Sequence, residues 1–371
     1  MKFINCSYDN FLNRLGDRKI VQFGASSVWH YFFSMFPNIG KEVVEKTAFI
    51  VDNSAERQGG TFRIGENELP VKAPAAMKDE SSFVILIMIS IAYHESICKQ
   101  LLEMNLPEDT EVYSLFLMTS SFSKADNSAV DEYFKGRTEK MIPAKIHSFW
   151  FSGEEKPELY QRCVDSWHRF CPDFEIFEWN ADNYDLTKNE YMYEAYKNRK
   201  WAFASDFARL DILKEHGGIY MDMDVELIAS IEPLLYADSF FCRQEDGALE
   251  LGSGFGVPKG DELIGKLLGA YKGRKLFLHD GTMDMTPQPE ILSNLLRQNG
   301  FTKNHNSQVI DGRLFLSNDY ITCYSGEESI RNARYGIHWH NAGWLPDKDR
   351  RLFRESLEVK DKVINEFFTM G

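Results

Sequence analysis

Residues 201–224, WAFASDFARLDILKEHGGIYMDMD, decide how this chain is read. They divide into a helix, a two-glycine break and a short apolar strand that ends in two closely spaced carboxylates. A helix sets Asp206 and Arg209 at i,i+3, so both side chains lie on one face. Gly217 and Gly218 supply the helix stop, where a positive φ costs glycine little. The strand Ile219–Tyr220–Met221 carries Asp222 and Asp224 to its end, where backbone gives way to loop. Two carboxylates so placed suit a hard divalent cation that holds a diphosphate. The plainer alternatives are an exposed ion pair for Asp206 and Arg209, and two surface acids for Asp222 and Asp224.

Outward from this stretch, Pro143 precedes the strand Lys145–Phe151, which Ser152–Gly153 ends. Pro157–Arg169 has apolar residues at helical spacing, Phe174–Trp179 reads as a strand, and Tyr191–Asn198 as a helix leading into the opening stretch. Downstream the pattern predicts a strand at Ser239–Phe241, a Gly-rich turn at Gly252–Gly256 and helices at Glu262–Tyr271 and Glu290–Gln298. Leu314–Leu316 and Tyr335–Trp339 read as strands, and Asp349–Phe367 as a closing helix.

The N-terminal part has its own rhythm. Arg18–Phe23 reads as a strand, Gly24–Ser27 as a tight turn, and a helix is expected through Phe36. Thr47–Asn53 is a second apolar strand, ending in Asp52, and the apolar run Phe83–Ser90 a third, buried and parallel. A helix at Glu95–Met104 and a strand at Glu111–Leu117 follow, so strands alternate with helices as in a parallel α/β sheet. The first turn stands where a dinucleotide fingerprint would, but only Gly24 occupies a glycine position, with Ser26 and Ser27 at the tight ones. This half resembles a Rossmann-like domain, and docking or oligomerisation is a better expectation for it than a bound nucleotide. The expected layout is a Rossmann-like domain over residues 1–120, a Ser-, Asp- and Lys-rich linker with a short helix over 121–140, and an α/β domain over 141–371.

Bulk composition narrows the partners. At 371 residues the chain exceeds what one core usually supports. A formal net charge of −14 argues against nucleic acid, which needs clustered Lys and Arg. The six cysteines show neither CxxC nor zinc-like spacing, so reduced thiols and a cytoplasmic setting are expected. Met1–Asn10 lacks an apolar signal core, and Phe83–Ala92 is too short to span a bilayer. Peripheral attachment to a membrane stays open.

Taken together, the strand Lys145–Gly153, the helix around Ser205–Arg209 and the run Gly217–Asp224 resemble the DXD glycosyltransferases of family 32, and also the glucosyltransferase domains of large clostridial toxins. The resemblance runs from Ile142 to Trp344 in order. It implies a GT-A type nucleotide-sugar-binding α/β domain, a UDP- or GDP-hexose donor, a glycan or lipid-linked acceptor, Mn²⁺ or Mg²⁺, retained anomeric configuration and a part in cell-surface polysaccharide synthesis. By that pattern Asp224 binds metal directly, and Asp222 contacts the donor ribose and the metal. Asp206 takes sugar hydroxyls, and Arg209 the sugar or its phosphate. Tyr220 donates to ribose or phosphate, and Trp150 stacks on the base. The tail Tyr335–Trp344 completes the metal shell and touches the diphosphate. Here the tail departs from the family: His338 and Trp344 are kept, Trp339 stands at the second histidine position, and Gly343 replaces the usual Ser. His340 stands one residue on, and either imidazole is a competent ligand.

No nucleophile is evident; Glu245 and Asp246 are the nearest acids in order, and Thr286–Pro289 is expected to line the acceptor side. Two rival classes fit the centre alone. One is a phosphatase of the haloacid-dehalogenase type with Asp222 as nucleophile, although that fold places the motif on its first strand. The other is a sugar-nucleotide binder without catalysis.

Overall fold

The structure, a computed structural model, describes residues 1–6, 8–26, 37–118, 125–244, 247–279, 282–284, 286, 288–296, 300–302, 304–325, 329–340 and 347–370. It forms two compact units, Met1–Ser123 with Arg351–Gly371, and Lys124–Arg350. Both are mixed α/β, as expected.

The first unit is built on strands β1 (Lys2–Asn5), β2 (Lys19–Phe23), β3 (Thr47–Val51), β4 (Thr61–Ile64), β5 (Asn67–Lys72), β6 (Phe83–Ile87) and β7 (Glu111–Ser114). Their spatial order is Thr369–Met370, β1, β7, β6, β2, β3, β5, β4, parallel throughout except for the β4–β5 hairpin. Every residue of β6 is buried, which is why its sequence reads as an unbroken apolar run. Alternation along the strands fills two cores: Ile20, Val84 and Leu86 face one, Val21, Ile85 and Ile87 the other. Asp52, the acid after β3, is occupied by the fold itself. Its carboxylate accepts the backbone N–H of Ala25 at 2.9 Å and of Ser54 at 2.8 Å, and pairs with Arg57.

The C-terminal boundary differs from the expected one. The helix Asp347–Glu366 delivers Val363 and Phe368 into the second of these cores, where Phe368 meets the Phe3 ring edge-on at 5.4 Å. Apolar burial therefore draws residues 351–371 to the first unit rather than to a domain over 141–371. The short helix expected in the linker stretch is Ser128–Tyr133, which buries Val130 in the second unit.

The second unit carries β8 (Lys145–Phe149), β9 (Glu175–Trp179), β10 (Gly218–Tyr220), β11 (Val225–Leu227), β12 (Phe240–Cys242), β13 (Phe255–Val257), β14 (Gln308–Ile310), β15 (Arg313–Leu316), β16 (Ile321–Cys323) and β17 (Gly336–His338). Seven form one sheet in the order β14-β15-β12-β13-β10-β8-β9, and three form a small sheet in the order β11-β17-β16. The stretch read as a Gly-rich turn thus ends inside β13, which pairs antiparallel with β10. On one face of the large sheet the helix Trp201–His216 packs with Tyr220; on the other the helix Glu158–Phe170 packs with Ile219 and Met221. Trp167 of the latter helix donates its indole N–H to the Val225 carbonyl at 2.7 Å. Among the described residues no helix is long and apolar enough to cross a membrane.

Candidate metal and donor site

Strand β10 lies inside the sheet, between parallel β8 and antiparallel β13, and its C-terminal end presents the acids. Gly217 closes the preceding helix at φ 66°, with its N–H returned to the Leu213 carbonyl at 2.9 Å. A Cβ there would stand 2.6 Å from the Lys259 nitrogen, so both backbone angle and space demand glycine.

Asp222 leaves β10 with its N–H bound to the Gly252 carbonyl at 2.9 Å. Its carboxylate accepts the Tyr220 hydroxyl at 2.5 Å and stands 4.0 Å from Arg209 Nη1. Arg209 lies over the Tyr220 ring, 4.9 Å from its centroid, and pairs with Asp206 one helical turn earlier. Both members of that pair are buried, so this is no exposed ion pair. Burial raises the Asp206 carboxyl to about 6, Arg209 pulls it down and Asp222 adds to the rise. Burial opposes the charge on Arg209 as well, but Tyr220, Asp206 and Asp222 together hold it cationic. The result is one fixed guanidinium beside the acid pair, its fork shared between helix and strand.

Asp224 and His338 meet through the small sheet. Val225 is the register partner of His338 in the antiparallel β11–β17 pair, and Trp339 donates its N–H to the Asp224 carbonyl at 2.9 Å. His338 Nε2 comes within 3.2 Å of Asp224 Oδ1, while Nδ1 is 2.9 Å from the Ser253 hydroxyl. Burial disfavours charge on His338, yet Asp224 and Glu250 bring its pKa up to about 9. Asp222, Asp224 and His338 offer one ligand atom each, all within 4.8 Å of one another. Two carboxylate oxygens and an imidazole nitrogen fit Mn²⁺ or Mg²⁺ in donor chemistry.

His340, at φ 45°, packs its ring on His338 with centroids 4.2 Å apart and faces Glu250 at 3.7 Å. It belongs to a different ligand group, with Cys323 and His338. Trp150 follows β8, half-buried, with its indole N–H on the Glu154 carbonyl at 2.7 Å and its ring against Tyr160. Trp344, Glu245, Asp246 and Pro287 lie outside the described residues.

Gln288, from the stretch expected to line the acceptor side, stands instead against Asp206, and Arg274 and Tyr271, not singled out in the sequence, lie near it. Gln288 donates to the Asp206 carbonyl at 2.5 Å, and Arg274 holds Asp284 through Nε and Nη2 at 2.7 and 3.0 Å. The buried atoms Gln288 Oε1, Arg274 Nη1 and Tyr271 Oη have no hydrogen-bond partner among the described residues. Buried polar atoms are rarely left so, and near Asp206 they offer donors and acceptors to a polyhydroxylated ligand. Tyr271 and Arg274 carry no sequence signal, since Tyr and Arg in a helix-to-loop segment are common.

Residues 157–241 match the family described as the glycosyltransferase sugar-binding region containing DXD motif. The matched segment holds Asp206, Arg209, Tyr220, Asp222 and Asp224; His338 and His340 fall beyond it. An uncharacterised glycosyltransferase of Acanthamoeba polyphaga mimivirus is 33% identical over 113 residues, covering 27% of this chain and 43% of its own length. The mannosyl phosphorylinositol ceramide synthase of Saccharomyces cerevisiae is 29% identical over 109 residues, 27% of each chain. Inositol phosphoceramide mannosyltransferase 1 of Schizosaccharomyces pombe is 30% identical over 134 residues, 34% of this chain and 39% of that one. The chain thus spans between 27% and 43% of the length of these relatives. Among solved structures, the PaToxG glycosyltransferase aligns with 46% of this chain and 76% of its own, at 18% identity and a TM-score of 0.34.

Proposed function

We propose, from the premise that residues 157–241 form a DXD-type glycosyltransferase region, that this chain is a metal-dependent glycosyltransferase. It moves a hexose from a UDP- or GDP-sugar to a glycan or lipid-linked acceptor with retention of configuration. The carrying observation is the convergence of Asp222, Asp224 and His338 within 4.8 Å, beside a buried Arg209–Asp206 pair. That two relatives are named for mannosyl or mannose transfer in inositol phosphoceramide chemistry supports a hexose donor and a lipid-linked acceptor. The cysteine pattern favours a reducing, cytoplasmic setting for cell-surface glycan assembly.

A bound Mn²⁺ or Mg²⁺ held by Asp222, Asp224 and His338 supplies Lewis-acid stabilisation of the departing diphosphate. The chain's own groups do the rest. Arg209, fixed by Asp206 and stacked on Tyr220, places a permanent positive charge where the donor's phosphate or sugar approaches. Asp206, Gln288, Arg274 and Tyr271 present the hydroxyl-binding edge, and orienting the sugar there limits the anomeric carbon to one approach. Retention follows from front-face attack, in which the leaving phosphate oxygen takes the acceptor hydroxyl's proton. Trp150 takes the nucleobase by stacking, as its half-buried ring allows.

The test is a panel of UDP- and GDP-hexoses with Mn²⁺, read by release of nucleoside diphosphate with and without acceptor. Metal-dependent release from at least one donor is expected, and loss in Asp224→Asn. Hydrolysis of simple phosphomonoesters without sugar release would establish the phosphatase reading instead. Tight donor binding with no release from any donor would leave a binder.

A further inference from the structure

His338 stands between two ligand groups of opposite chemistry. Its Nε2 faces Asp224 on the oxygen side. Its Nδ1 is 2.9 Å from the Ser253 hydroxyl, which is itself 3.3 Å from the Cys323 sulfur. Cys323 and His338 are paired residues in the parallel β16–β17 register, so backbone hydrogen bonding holds thiol and imidazole together. His340 brings a second imidazole, and Cys323, His338 and His340 each offer one ligand atom within 4.8 Å of the others. Glu250, 3.7 Å from His340 Nε2, steadies that ring. None of this is used by the transferase reading, which engages only the oxygen side of His338.

We propose that Cys323, His338 and His340 form a second cation site, of thiolate and imidazole chemistry, that takes Zn²⁺ and competes with the hard cation at Asp222 and Asp224 for His338. Sulfur and nitrogen donors select Zn²⁺ strongly over Mg²⁺ or Mn²⁺, whereas the oxygen ligands of the acid pair suit those harder ions as well and discriminate far less against them. Binding requires a thiolate, so the Cys323 proton leaves to solvent as the metal–sulfur bond forms. Buried thiols resist ionisation in the absence of a cation, and Cys323 is held up by burial in this way; a coordinating metal reverses that balance. With Nδ1 on zinc, His338 keeps a proton on Nε2 and donates it to Asp224, the arrangement by which carboxylates commonly support metal-bound histidine. Asp224 then holds an imidazole N–H, and the oxygen site has lost its nitrogen ligand. The two sites are therefore alternatives, and zinc acts as an antagonist of the manganese-loaded form.

Co²⁺ reports the site directly, because a cobalt–thiolate bond gives an intense near-ultraviolet charge-transfer band that oxygen and nitrogen ligands do not. The full chain titrated with Co²⁺ is expected to show that band, and Zn²⁺ to abolish it. Cys323→Ser removes the band and leaves Mn²⁺ affinity, followed by electron paramagnetic resonance of the free ion, unchanged. Zn²⁺ weakens Mn²⁺ binding roughly tenfold or more in the natural chain at concentrations that leave it unchanged in Cys323→Ser, where only direct competition at the acid pair remains and needs more Zn²⁺. His340→Gln, which keeps the thiol, serves as the second variant and lowers Zn²⁺ affinity by a similar factor. Absence of the thiolate band in the folded natural chain, or Mn²⁺ binding indifferent to Zn²⁺, overturns the proposal. Neither readout requires turnover, so failure of the transferase reading leaves this result standing, and the reverse.

Discussion

His338 reaches Asp224 at 3.2 Å because β17 pairs antiparallel with β11, which begins immediately after the acid pair. A strand near the end of the second unit therefore supplies the nitrogen that two neighbouring carboxylates lack. The pairing is built from backbone hydrogen bonds, including Trp339 N–H to the Asp224 carbonyl, so a side-chain change need not disturb it. Asp224→Asn is expected to keep the fold by circular dichroism and to lose Mn²⁺ affinity in calorimetry. The loss should exceed the roughly 10- to 100-fold that removal of a merely supporting partner produces. Unchanged affinity would remove Asp224 from the metal shell.

Gly252 sets the position of Asp222. Its carbonyl accepts the Asp222 N–H, and a Cβ built on it would run into the Asp222 carboxylate and stand 3.0 Å from Glu250 Oε1. Gly252→Ala must push the Asp222 carboxylate aside while leaving its hydrogen-bonded backbone in place. Weakened Mn²⁺ binding with a denaturation midpoint close to that of the natural chain is the expected outcome. If metal binding holds and stability falls instead, the crowding is relieved elsewhere.

The Arg209–Asp206 pair makes a sharper energetic statement. Both side chains are almost wholly buried, and removing one partner of such a pair strands the other, at a cost of about 3–5 kcal/mol. Arg209→Met should show that loss by urea denaturation. Combining it with Asp206→Leu should recover a substantial part, since two apolar side chains leave no stranded charge. Additive losses in the double variant would mean that Asp206 is stabilised chiefly by its contacts with other groups.

How much of this was legible in the sequence follows from distance along the chain. Tyr220, Asp222, Arg209 and Asp206 fall in one stretch, where helix period and strand alternation alone bring them together. Gly217 was legible for the same reason, since a helix stop is a local requirement. Ser253, Glu250 and Cys323 were not, because they reach His338 and Asp222 only through β13 and β16, whose register no local pattern specifies. The Gly-rich run 252–256 carries a turn signal, and the antiparallel partner β10 overrides it from Phe255 onward. The closing helix was legible as a helix, but its allegiance was not. Its amphipathic face is silent about which sheet it covers, and Phe3, at the far end of the chain, settles that.

A last prediction concerns acid stability. His147 lies in β8, buried beneath the glycine turn. Its Nδ1 accepts the Trp179 indole N–H at 3.1 Å, which leaves Nε2 to carry the proton and donate to the Gly217 carbonyl at 3.1 Å. Charging the ring requires a proton on Nδ1, where the indole N–H already points. Burial, the dominant cause, lowers the His147 pKa to about 4. An unfolded chain protonates the same histidine near its ordinary value of about 6.5. Between these two values the unfolded state binds more protons, so stability rises with pH across that window and falls as the solution is acidified through it. The difference corresponds to about 3 kcal/mol lost between neutral pH and pH about 4. His147→Gln, which cannot titrate, is expected to be less stable than the natural chain at neutral pH and to lose less on acidification. Urea midpoints of the second unit, followed by tryptophan fluorescence across that range, give the comparison. Parallel pH profiles for the two proteins would show that His147 is charged in the folded chain and that the Trp179 hydrogen bond is not the one that holds it.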